Sequence, residues 1–208
     1  MKNTVTKSIK YSAVILSLLA YSFAVNAQSG SAELIQKLDK FKTINSHVKQ
    51  RIISPEGRIL NESEGDIAIS RPGKLYWHVT KPDEDLIVSD GKTVWFYTPM
   101  LEQVSILNYE DAIAGTPFVL LTGASKKQWA DYLVTKQDGL FVVTYAGKGE
   151  AKDKFTIKFD KNDRISEFAN IEATGQRSEF FFTVSPKNKK TPLFTFKIPK
   201  DIDIDDQR

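Results

Sequence analysis

Few residues in this chain of 208 have the chemistry for catalysis. His47 and His78 are its only histidines, and it contains no cysteine. A thiol nucleophile, a CxxC redox pair and a cysteine zinc site therefore have nothing to be built from. Neither G-x-S-x-G nor H-E-x-x-H occurs, and both histidines fall in stretches with strand alternation, where a lone imidazole is usually a surface or hydrogen-bonded group. Two patterns imitate ligand loops. Gly91-Lys92-Thr93 has the end of a phosphate loop, but Leu86 stands where the loop's first glycine belongs, so a hairpin turn is expected. Asp201, Asp203, Asp205 and Asp206 resemble the opening of a calcium loop, yet no glutamate follows as twelfth ligand, and a solvated acidic segment is expected. The reading is of a protein without catalytic residues, metal ligands or cofactor.

The remaining chemistry is that of apolar surface, and it starts with a leader. Residues 1–27 carry Lys2, Lys7 and Lys10, no acid, an apolar run from Tyr11 to Val25, and the ending Val25-Asn26-Ala27. This is the pattern of a secretory signal peptide, too short in its apolar part to suit a membrane span. Cleavage is expected after Ala27, leaving residues 28–208 as one domain. Without the three leader lysines, the 29 basic residues fall to 26 against 26 acids. A formally neutral mature chain lacks the electrostatic footprint of a nucleic-acid binder. With no cysteine to carry a lipid, the mature protein is expected to be exported, soluble and unanchored, in a bacterial periplasm.

Two periodicities position the apolar residues. Leu34, Ile35, Leu38 and Phe41 repeat at helical spacing behind the cap candidates Ser29 to Ser31, which predicts an amphipathic helix from about Ser31 to Thr43. Beyond it the period is two: Leu75, Trp77 and Val79; Phe155, Ile157 and Phe159; Phe194, Phe196 and Ile198. Turn signals at short intervals, among them Ser54 to Gly57, Arg71-Pro72-Gly73, Asp138-Gly139 and Ser185 to Asn188, indicate an antiparallel sheet of many strands, strongly curled. The centre differs. Tyr109 to Ala114 has helical composition, and Thr116-Pro117 restarts a short helix through Phe118 to Leu121 that has hardly a polar face.

Several strands are apolar on both faces. Trp95 and Tyr97 point one way while Val94 and Phe96 point the other, and Phe180, Phe181 and Phe182 are consecutive. Such strands need cover on both sides. An ordinary filled core and a curved sheet enclosing a binding cavity both satisfy that, and composition does not choose between them.

The ordered set Arg71-Pro72-Gly73-Lys74-Leu75-Tyr76-Trp77, Val88-Ser89-Asp90-Gly91-Lys92-Thr93-Val94-Trp95-Phe96-Tyr97, Pro99, Glu102-Gln103, Thr116-Pro117-Phe118 and Asp205-Asp206-Gln207-Arg208 resembles the LolA family. The likeness runs through essentially the whole mature chain. It implies an incomplete, half-open antiparallel β-barrel with a helical lid over an apolar cavity for the acyl chains of lipoproteins. It implies a monomeric periplasmic carrier of a Gram-negative bacterium that receives lipoproteins from the inner-membrane release complex LolCDE and delivers them to LolB, the outer-membrane acceptor. LolB shares the fold and is itself a lipoprotein, so the lack of cysteine places this chain on the carrier side. By the same resemblance Arg71 is the lid latch, with partners around Leu38 and at Leu121 to Thr122. Leu34, Phe41, Leu75, Trp77, Phe96, Phe118 and Leu121 line the cavity, and Leu75 stands where an aromatic is common. The other classes considered were an envelope β-protein without ligand, which predicts a filled core, and a periplasmic hydrolase, for which no acid and base pair is present.

Overall fold

The computed structural model describes residues 30–113, 118–146, 153–184 and 194–208. The leader, the Thr116-Pro117 cap and the turn at Ser185 to Asn188 lie outside them. A helix, α1 (residues 30–39), precedes a meander of β1 (Thr43–Ile53), β2 (Ile59–Ser70), β3 (Lys74–Lys81), β4 (Asp85–Asp90), β5 (Thr93–Thr98) and β6 (Gln103–Asn108). Three short helices follow: α2 (Tyr109–Ile113), α3 (Phe118–Thr122) and α4 (Lys126–Trp129). The chain returns to strands in β7 (Tyr132–Gln137), β8 (Leu140–Tyr145), β9 (Lys154–Phe159), β10 (Ile165–Ile171), β11 (Arg177–Val184) and β12 (Asp203–Asp206).

These strands form one sheet in the order β12-β6-β5-β4-β3-β2-β1-β11-β10-β9-β8-β7. The two meanders join where β1 meets β11, with Val48 opposite Phe182, and the sheet keeps two edges, so the barrel is open. The alternation of each strand puts Val48, Ile67, Leu75, Trp77, Phe155, Ile157, Phe168 and Phe180 on the inner face, where they merge with Leu34 and Leu38 of α1 and Val119 to Leu121 of α3 into one core.

Helix α1 stops at residue 39 rather than reaching Thr43. Phe41 N–H turns back to the Leu38 carbonyl at 3.1 Å, and Thr43 already pairs with Ser70 in the sheet. The C-terminal segment departs further from its pattern. Residues 194–202 form no strand; Phe196 instead lies over Trp95 and Tyr97, at ring-centroid distances of 6.4 and 5.5 Å. This is the cover that the second apolar face of β5 requires. The acidic stretch beyond it is largely exposed, as expected, and it also forms a strand, β12, paired in parallel with β6, Ile204 opposite Val104. The three phenylalanines of β11 divide as alternation dictates: Phe180 is buried, while Phe181 faces outward beneath the Arg51 guanidinium, 5.4 Å from its ring centre.

Candidate functional site: a clamped helical lid over an apolar interior

Leu34, Leu38, Leu75, Trp77 and Leu121 all lie in the enclosed core. Phe41 sits at its margin, stacked on Phe159 with ring centroids 6.4 Å apart. Phe96 is placed differently: it is 36% exposed, at the rim rather than inside. The side chain of Phe118 lies outside the described residues. Helices α1 and α3 thus rest with their apolar side chains on the concave face of the sheet, which is a closed arrangement.

The turn between β2 and β3 holds both helices. Arg71 N–H donates to the Lys42 carbonyl at 3.0 Å, which fixes the direction in which its side chain leaves the turn. Its Nη1 donates to the Leu38 carbonyl in the last turn of α1 and to Asp39 Oδ1 at 3.3 Å, and its Nη2 donates to the Leu120 carbonyl of α3 at 3.2 Å. The cation also suits the negative end of α1. Only a planar fork reaches two helix carbonyls in this way. The carbonyl engaged on α3 is that of Leu120, one residue before the Leu121 to Thr122 pair expected. Burial pushes the guanidinium pKa down and Asp39 pulls it back; the group stays charged at neutral pH.

Thr122 is held by other groups that the sequence did not single out. Gly73 N–H donates to the Thr122 carbonyl at 2.8 Å, and Tyr109 Oη shares a 2.6 Å hydrogen bond with Thr122 Oγ1. Burial raises the Tyr109 pKa and the Thr122 bond works in the other direction, so the phenol is neutral and able to donate. Behind them Ser89, fully buried, donates to the Gly73 carbonyl at 2.9 Å and accepts from Gly91 N–H at 3.1 Å. The two glycines touch: a Cβ on Gly73 would stand 2.9 Å from Gly91 Cα. The hint of this clamp in the sequence was an S-x-G spacing inside a turn, too common to be informative alone.

His47 lies beside Asp66 at 3.3 Å and His78 beside Glu84 at 2.7 Å, both partly exposed. Among the described residues no group of three or more His, Asp or Glu is placed to hold a metal.

A family model described as Outer membrane lipoprotein carrier protein LolA matches residues 39–199. The chain is 48% identical over 201 residues to the outer-membrane lipoprotein carrier protein of Psychromonas ingrahamii, covering 94% of this chain and 98% of that one. It is 42% identical over 195 residues to the protein of the same name from Aeromonas salmonicida, covering 92% and 95%. A solved structure of a LolA superfamily protein from Nitrosomonas europaea is similar over 82% of this chain and 98% of its own, at 14% identity and a TM-score of 0.46. This open sheet with its clamped lid belongs to the LolA family of outer-membrane lipoprotein carrier proteins.

Proposed function

We propose that the protein is a periplasmic, monomeric and non-enzymatic carrier of lipoproteins, exported by residues 1–27 and starting at Gln28 when mature. It takes cargo from LolCDE in the inner membrane, shields the acyl chains against the concave face of its sheet, and yields them to LolB. The observation that carries this reading is Arg71, whose single side chain bridges carbonyls of α1 and α3 above a predominantly apolar interior.

The energetics explain why a carrier is needed and how it works without nucleotide. Each buried methylene contributes about 0.8 kcal/mol, so one chain of about sixteen carbons prefers a membrane to water by on the order of 12 kcal/mol. Unaided release into water is negligible. The space for cargo is occupied by Leu34, Leu38, Val119, Leu120 and Leu121 when the lid is closed, so acyl chains enter by displacing α3. Closure then favours the empty state through the Arg71 bonds, and opening favours the loaded one. Loaded and empty forms remain close in free energy, as transfer to an acceptor requires.

The test is recovery of the mature protein from a periplasmic extract, followed by transfer assays with LolCDE and LolB. Co-purified lipoproteins that pass to LolB are the expected result. A protein that recovers no lipoprotein and binds no acylated peptide is an envelope β-protein with a filled core, and the carrier reading is wrong.

A further inference from the structure

The concave face of the sheet changes character at one step along its strands. Nearest the Arg71 turn its inward residues are apolar, Ile69 beside Leu75 and then Ile67 beside Trp77. Across the curl Phe180 meets Trp77 and pairs with Phe168. One alternation further from that turn, on both sides of the curl, inward positions are polar. Asp85 of β4 stands opposite Val79 and shares its face with Ile87, and Asn170 of β10 stands opposite Ser178 and shares its face with Phe168. Between them, on the face that Val48 occupies, Ser63 Oγ donates to Gln50 Oε1 at 3.2 Å.

Resting on the carrier reading, we propose that this polar belt is a second part of the cargo site, one that takes peptide rather than lipid: Asp85 and Asn170 accept hydrogen bonds from the first backbone N–H groups at the acylated end of the lipoprotein. Two oxygens point to this role. Asp85 Oδ1 and Asn170 Oδ1 are closed to solvent and accept no hydrogen bond from any described residue. Apart from Arg71 Nε at the latch, they are the only buried side-chain polar atoms so placed among the described residues. A buried acceptor without a donor destabilises the protein that holds it, and native structures keep few of them. Here both face the surface against which cargo packs.

Lipid alone does not answer these two oxygens. A fatty chain has no N–H or O–H to donate, and the ester groups of a diacylglycerol offer only further acceptors. The polypeptide joined to the acyl chains supplies what is missing, one N–H per residue, beginning with the amide at its own N-terminus. The belt also orients the cargo. Acyl chains fill the apolar part beneath α1 and α3, near the Arg71 latch, and the peptide leaves toward the turn between β3 and β4, where β3 ends at Lys81 and Asp85 opens the next strand.

Two probes of nearly equal apolar content separate recognition of peptide from burial of acyl chains. One is a hexapeptide amide with an N-terminal palmitoyl group; the other is its ester analogue, in which oxygen replaces the first three backbone N–H groups. The mature protein is expected to bind the amide at least about tenfold more tightly, as two hydrogen bonds require when one of them is to a carboxylate. Asn170→Leu and, in a separate variant, Asp85→Leu should each cut that preference to about threefold or less, with affinity for the ester analogue within about twofold of wild type. Alanine replaces leucine at either position where the first variant does not fold. Equal binding of the two probes by the wild-type protein, or a tenfold preference that survives both substitutions, overturns the peptide subsite and leaves the carrier reading standing. Binding of neither probe overturns both.

Discussion

The rings of Trp77 on β3 and Phe180 on β11 meet edge to face, their centroids 5.6 Å apart, although β2 and β1 lie between their strands. In a flat sheet three strand spacings would separate them by about 14 Å. The contact therefore measures how tightly the sheet curls about β1 and β2, and Phe168 continues it at 5.9 Å from Phe180. Truncation to Phe180→Ala is expected to cost about 3 to 5 kcal/mol in urea unfolding. Phe181→Ala, one residue on but outside, should cost no more than about 1 kcal/mol. Equal costs would show that the inner contact does not hold the curl.

Arg71→Leu removes the bonds that favour the closed lid, each worth about 1.5 to 3 kcal/mol for a charged donor. The same differential makes loading easier and unloading harder. The variant should accept lipoprotein from LolCDE but pass it poorly to LolB, accumulating as a loaded complex, and Arg71→Lys, lacking the planar fork, should restore transfer only in part. Loading and delivery at wild-type rates would refute the latch.

Leu121 is 1% exposed on the lid helix α3. Leu121→Glu puts a carboxylate where it has no partner, which costs several kcal/mol or keeps it protonated. Binding of an apolar fluorescent probe that acylated peptide displaces should therefore be weakened markedly. A folded variant that binds the probe as wild type does would remove this residue from the lid.

Acid should loosen α1 from the sheet. Asp163, in the turn after β9, accepts from Lys37 and from Lys40 of α1's end, the latter at 3.2 Å, and these bonds hold its carboxyl below its ordinary value. Asp160 is lowered to about 2, chiefly by the Arg164 backbone N–H and then by the Arg164 side chain. Because the folded values are depressed, the stabilisation is complete above pH about 4 and is lost as pH falls through the folded values. Thermal unfolding followed against pH should show this acid limb, shallower in Asp163→Asn and in Asp160→Asn and parallel to wild type above pH about 5. An unchanged slope in both variants would rule these carboxylates out as its source.

Much of the architecture was legible because a curled antiparallel sheet writes itself as period-two stretches between turn residues. Trp77, Phe155 and Ile157 stand out from alternation alone, and all three are buried. Less legible was whatever depends on distant pairing. Asp203–Asp206 alternates acid with Ile204, yet its partner β6 lies almost a hundred residues earlier, and a parallel partner is announced by no hairpin turn. Phe194 to Ile198 alternates just as well but serves as a cover: Phe196 meets Trp95 and Tyr97 of β5, and the segment itself forms no strand. Helix α4 was missed although Ser125 and Gln128 form a reciprocal capping box, because three polar residues and one tryptophan carry no hydrophobic period. At the lid, the resemblance named Arg71 and Thr122, while Tyr109 gave no local signal: a phenol and a hydroxyl become partners only when the fold brings them together.

An open sheet always ends in unpaired backbone and is exposed to polymerisation by strand addition. The last strand answers that hazard at one edge. It covers β6 from within the same molecule and presents Asp203, Asp205 and Asp206 along a run of only four residues. Two such edges meeting side by side would align like charges at strand spacing, and the growing end of a fibril would be repelled before its first ladder formed. The acidic tail that looks like a failed cation loop is, in place, what keeps one copy of this sheet from extending another.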